Sequence, residues 1–263
     1  MKEEKIPSLT EKIRIFALGG LDEDGKNLFC VEVDQSIYVI EAGIKFPDNK
    51  ESLGIEFIIQ DFTYLVENKD RVAAIFITHG HDDVMGALPY LLKQVPCDVY
   101  TAPLAVKEVQ KMIRQEHISG VRVHSVKRNE KKRIGKRRIV FFPITHAYPG
   151  TFGLAIQTDQ GYIVYSGEFI EDYDDLEDAY RADFTTISEI GNEGVLALLQ
   201  ESKGAERSGH TSPNHRIAPK LLQVLETHEQ KRVFVSVYNQ SVYRIQEIID
   251  CCMASHRKMV FYS

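Results

Sequence analysis

The segment Thr78-His79-Gly80-His81-Asp82-Asp83-Val84-Met85-Gly86 gathers two imidazoles and two carboxylates within a few positions. It follows the apolar run Val72–Ile77 and precedes a helically spaced Leu88–Gln94. A strand that delivers His79, His81 and Asp83 at alternating positions into a loop is a common way to assemble a zinc site, because imidazole nitrogen and carboxylate oxygen both suit that ion. Four other segments end a strand-like run with a further candidate ligand or acid: Glu41 after Ile37–Ile40, His146 after Arg138–Phe142, Glu168 after Tyr162–Tyr165, and Glu201 after Leu198-Leu199. A lone His after a strand is more often a packed or solvated residue. Five such ends in chain order point to a shared site where the loops of an α/β protein converge.

The elements that must carry these residues follow from period and punctuation. Short β-branched runs separated by turn signals predict strands at 13–17, 29–33, 37–40, 72–78, 138–142, 152–157 and 162–165, the last two joined at Asp159-Gln160-Gly161 as a hairpin. Helical spacing predicts helices at 82–93, at 104–116 after Pro103, and at 213–228 with Ser212 as cap. Past Gly204 the rhythm becomes helix, strand (233–237), helix (242–252) and strand (259–261), which suggests a second unit.

Composition sets the bounds. At 263 residues, 43% hydrophobic and 27% charged, the chain can bury one substantial core and part of a second. No apolar run approaches the ~20 residues of a membrane span, and Met1–Lys5 lacks a secretory apolar stretch, so a cytoplasmic protein with no membrane partner is expected. Cys30, Cys97, Cys251 and Cys252 include no CxxC and read as buried thiols. A net charge of −6 argues against binding nucleic acid through the overall field. Two local clusters run in opposite directions: Lys127–Arg138 with eight Lys/Arg, and Glu171–Asp178 with six acids. Charge runs usually face water, but the basic one is the best candidate for nucleic-acid contact.

Taken together, these motifs resemble the ribonuclease J family, in the β-CASP branch of the metallo-β-lactamase superfamily. The likeness runs through Ile13–Gly20, Gly25-Lys26-Asn27, His79-Gly80-His81, Gly86–Leu92, Thr145-His146, Ala205-Glu206-Arg207 and Arg244-Ile245-Gln246. It implies an αββα sandwich over residues 1–204 followed by the opening, truncated part of a β-CASP domain over 205–263. It also implies a first metal at His79, His81 and His146, a second at Asp83 and the residue after it, with Glu168 at the bridging position. Asp83, Glu168 and Glu201 would be the catalytic acids.

The departures from that pattern share a direction. The family's second-metal His is Val84 here, and aspartates at three strand ends are Glu41, Glu168 and Glu201. Each Asp-to-Glu change lengthens the side chain by roughly 1.5 Å. Hydrolysis of phosphodiesters in such sites uses two ions about 3.5–4 Å apart. The resemblance is therefore to the degenerate second paralogue that Firmicutes-type bacteria carry beside an active one. It implies at most one zinc, RNA and the active paralogue as partners, and a role in messenger turnover and ribosomal RNA maturation with weak or absent catalysis. The alternative is an efficient zinc-dependent 5′-to-3′ exoribonuclease and endoribonuclease. A small-molecule thioester or lactam hydrolase fits the residues after 204 poorly.

Overall fold

A computed structural model describes residues 11–47, 54–170, 177–209 and 216–262. The strands are β1 (Ile13–Gly19), β2 (Leu28–Val33), β3 (Ser36–Ile40), β4 (Val72–Ile77), β5 (Val99–Thr101), β6 (Val123–Ser125), β7 (Lys131–Ile134), β8 (Arg137–Pro143), β9 (Phe152–Thr158), β10 (Gly161–Tyr165) and β11 (Val195–Leu199). The helices are α1 (Thr63–Glu67), α2 (Asp82–Met85), α3 (Leu88–Gln94), α4 (Val106–Gln115), α5 (Phe184–Glu193), α6 (Ala218–Thr227) and α7 (Val242–Ala254).

Two sheets face each other: one of six strands in the order β1 to β6, and one of five in the order β11-β10-β9-β8-β7. Alternation along each strand explains the layering, since successive side chains leave opposite faces. Val31, Tyr38, Phe76, Phe141 and Leu154 fill the space between the sheets. Their neighbours Cys30, Val39 and Ile75 turn outward under the helices with Leu88, Leu91 and Val109. On the far side Val140, Phe142 and Val164 pack against Ile190 of α5. Helix, sheet, sheet and helix are thus stacked as the resemblance implies.

Prolines move two helix starts. The span 82–93 is two helices rather than one, and in the described part of 213–228, from residue 216, the helix begins at Ala218. Pro89 and Pro219 each lack a donor and clash in a helix interior, so each falls in the first turn of the helix that holds it. Ser212 lies outside the described residues, as does the 171–176 part of the acidic run. The predicted strands 233–237 and 259–261 do not form. A strand exists only by pairing, and among the described residues no strand pairs with either segment. Instead Val233 and Met259 pack at the margin of a small cluster between α6 and α7, built on Leu221, Leu225, Ile248 and Cys251.

Among the described residues, no helix is long and apolar enough to cross a membrane. All four cysteines are free thiols, Cys30 and Cys251 buried.

Candidate metal centre

Strand direction brings the five sequence-predicted ends to one pole. β3 runs parallel to β4, and β10 parallel to β11. β8, β9 and β10 alternate, so β8 points the same way as β10. Glu41, His79, His146, Glu168 and Glu201 each lie one to three residues past one of these C-terminal ends.

The loop after β3 pins the His-rich loop. Ala42 N–H donates to Val84 O at 2.7 Å and Ile44 N–H to Asp82 O at 2.8 Å. Between them Gly43 passes so close that a Cβ there would lie 1.5 Å from Asp83 O, which only glycine allows. Glu41 takes a left-handed φ of 66°. That strained turn aims its fully buried carboxylate at Thr78, whose N–H and hydroxyl donate to it at 3.1 and 2.6 Å.

Three imidazoles then converge. The His79 ring centroid lies 4.3 Å from that of His81 and 4.4 Å from that of His146. Glu168 Oε2 stands 3.8 Å from Nε2 of both His79 and His146. One donor atom from each of these four residues falls within 4.8 Å of the others. Each imidazole also has a partner at one ring nitrogen. Thr78 Oγ1 is 2.9 Å from His79 Nδ1; because the hydroxyl donates its proton to Glu41 Oε1, its oxygen is left to accept from Nδ1–H. The lone pair at His79 Nε2 is then directed into the cluster, and this buried atom has no hydrogen-bond partner. His146 Nδ1 accepts from Tyr148 N–H at 3.3 Å and lies 3.3 Å from Thr151 Oγ1, whose own proton goes to Tyr148 O. His81 Nε2 lies 3.2 Å from Gln240 O. The ring of Tyr148 stands across His79 and His81, with centroids 6.1 and 5.9 Å away.

Burial sets the charges. Desolvation, then the neighbouring His146 and His81, hold His79 well below the usual imidazole range, and desolvation and His81 bring His146 down to about 3. Both are neutral ligand-type imidazoles at physiological pH. Burial, then Asp83 and Glu201, push Glu168 up to about 8, and Asp83 is also its hydrogen-bond partner. Burial raises Glu41 well above the carboxylate range against the opposing pull of the Thr78 hydrogen bonds, and burial raises Glu201, whose Oε2 accepts from Phe169 N at 3.4 Å. Lys203, ion-paired to Asp24 at 2.9 Å, is a cation acting on Glu168 and Glu201 from outside the cluster.

An orphaned imidazole nitrogen amid neutral His and crowded acids is the arrangement that a bound cation resolves, so the four donors fit a metal ion. Asp83 and Glu201 neighbour Glu168 electrostatically without joining the four-donor group. Val84 is buried in the apolar layer beneath α2 and α3, in one cluster with Ile44, Met85 and Leu88. Sequence reasoning missed Thr78, Thr151 and Gln240. Thr78 could have been suspected from its place beside His79; nothing in the sequence marks a carbonyl 159 residues from His81.

The basic cluster runs the length of the second sheet. Its β7–β8 turn at Gly135 is separated from the site by the length of β8, roughly 20 Å at 3.3 Å per residue, while Arg128 at its start bonds the carbonyls of Asp178 and Arg181, beside Ala182, whose N–H donates to Thr145 next to His146. Arg137 is paired with Glu11, Asp34 and Asp159, Lys131 with Glu189, and Arg128 with backbone carbonyls.

Comparison with known proteins gives this geometry a family. The profile described as Beta-lactamase superfamily domain matches residues 47–234, well over half of the chain. The chain belongs to the β-lactamase superfamily. Within this superfamily it is ribonuclease J-like: it is 35% identical over 97% of its length to proteins named Ribonuclease J 2 of Staphylococcus epidermidis and of Staphylococcus saprophyticus. It spans 46% of those relatives, about half their length. Its fold also matches a crystal structure of a protein of unknown function from Enterococcus faecalis V583, with a TM-score of 0.63 at 14% identity, covering 91% of this chain and 63% of that one. Membership of the superfamily and the His/Glu cluster agree on a metal site.

Proposed function

We propose that this chain is the metal-binding part of a ribonuclease J-type protein that serves cytoplasmic messenger turnover and ribosomal RNA maturation chiefly as an RNA-binding and assembly partner of an active paralogue. The observation that carries this reading is that the donors suffice for one ion while Val84, where the family holds a second ligand, is packed in apolar core. His79, His81 and His146 would hold one zinc with Glu168 as fourth donor, a set that suits the tetrahedral preference of zinc. When bound, zinc supplies Lewis acidity toward a phosphodiester. Asp83 and Glu168 share a hydrogen bond. With Glu168 given to the zinc, Asp83 and Glu201 beside it are the groups left to move protons in slow turnover. A second ion would have to rely on Asp83 and Glu168 alone, too few ligands to hold it.

Residues 205–263 are read as the opening of the β-CASP unit, on the Ala205-Glu206-Arg207 and Arg244-Ile245-Gln246 motifs. The test is co-purification of the full-length protein with the active paralogue, followed by RNA cleavage by the mixture. Association and its effect on cleavage should survive His79→Ala/His81→Ala. Loss of the effect with those changes, or cleavage by the isolated protein that depends on them and matches the paralogue's rate, would favour the alternative of an efficient zinc-dependent exo- and endoribonuclease.

A further inference from the structure

The three imidazoles differ in what orients them. His79 is held by Thr78, its chain neighbour, and His146 by Thr151 and Tyr148 of its own loop. His81 is held by Gln240 O, from the turn that leads into α7. A carbonyl oxygen only accepts, so His81 Nε2 must carry the hydrogen and Nδ1 must present the lone pair. Two further contacts dock the same turn beside the site. Tyr243 N–H donates to Ala147 O at 3.0 Å, next to His146, and the Tyr243 ring meets Tyr180 edge-on with centroids 5.0 Å apart. Neighbouring bonds fix the turn itself: Ser241 N–H to Tyr238 O and Val242 N–H to Gln240 O, both 3.0 Å.

We infer that the segment leading into α7 controls the metal affinity of the centre, by using the Gln240 carbonyl to lock His81 with Nδ1 as its ligand atom. The inference rests on the reading of His79, His81, His146 and Glu168 as a metal site. Outer partners of ligating His residues typically contribute 10–100-fold in metal affinity. The coupling is reciprocal: a bound ion draws electron density from the imidazole, strengthens Nε2–H as a donor, and so tightens the turn against the site.

Two substitutions separate the carbonyl from the side chain. Ser241→Pro forces Gln240 toward extended backbone and swings its carbonyl away, while proline is tolerated at a helix start. Gln240→Ala removes the side chain and leaves the carbonyl. Zinc affinity of the whole chain, measured by competition with a chromophoric chelator, should fall 10–100-fold in Ser241→Pro and stay unchanged in Gln240→Ala. Nitrogen NMR of the zinc-free protein should show His81 as the Nε2–H tautomer in the parent and in Gln240→Ala, and as a mixture in Ser241→Pro. Unchanged affinity and tautomer in a Ser241→Pro protein of parental helix content would overturn this inference alone. No zinc uptake by the unaltered chain would overturn the metal reading and this inference with it.

Discussion

The two ends of the sandwich treat buried charge in opposite ways. At the end where β3, β4 and β8 begin, Glu32 accepts from Arg14, Arg71 and the Tyr64 hydroxyl, and Arg137 is shared by Glu11, Asp34 and Asp159. At the end where the same strands finish, Glu41, Glu168 and Glu201 are held above their usual range, His79 and His146 are held neutral, and His79 Nε2 is buried without a hydrogen-bond partner. The first end pairs its charges with opposite ones, although Glu11 Oε1 and Arg137 Nε there also lack hydrogen bonds; the second gathers neutral imidazoles and crowded acids that a cation would satisfy. Uncompensated electrostatics in a rigid frame separates the functional pole from the structural one.

The comparison breaks most completely if the functional pole loses its frame. Gly43→Ala should push Asp82–Val84 off the β3 loop, at a cost above the ~1–3 kcal/mol common for overpacking, and should abolish metal binding. Thermal melts with and without zinc would read both effects, and a parental melting temperature would refute the packing argument. Next, zinc at 100 times its dissociation constant should stabilise the parent by about 2.7 kcal/mol, and should do nothing for His79→Ala/His81→Ala. At the other pole Glu32→Ala should cost about 1.5–3 kcal/mol, the range for hydrogen bonds to charged groups, and leave zinc affinity untouched.

The smallest effect is a pH slope. Glu168 ionises near 4.5 when unfolded and near 8 when folded, so the folded chain binds more protons between those values, and zinc-free stability falls as pH rises through that window. His146 contributes the opposite slope between about 3 and 6.5, but it is present in parent and variant alike. Glu168→Gln should therefore raise the melting temperature of the zinc-free protein more at pH 8 than at pH 5. An equal effect at both pH values would show that Glu168 is not held protonated.

Most of the strands and the site were legible because period-two burial and strand-end ligands are local signals. Three things were not. Helix starts at Leu88 and Ala218 depended on where Pro89 and Pro219 could be tolerated. The ion pairs within the basic run, Arg137 with Glu11 and Asp34 and Lys131 with Glu189, join residues too distant in sequence for any local signal to mark them. The apolar segments 233–237 and 259–261 have strand composition without a pairing partner, and composition alone does not make a ladder.

The central claim is that this centre fits one ion. Elemental analysis of the purified chain, equilibrated with excess zinc and then desalted, tests it directly. One zinc per chain, lost on His79→Ala or His146→Ala, is the predicted result. Two tightly held ions per chain would contradict it.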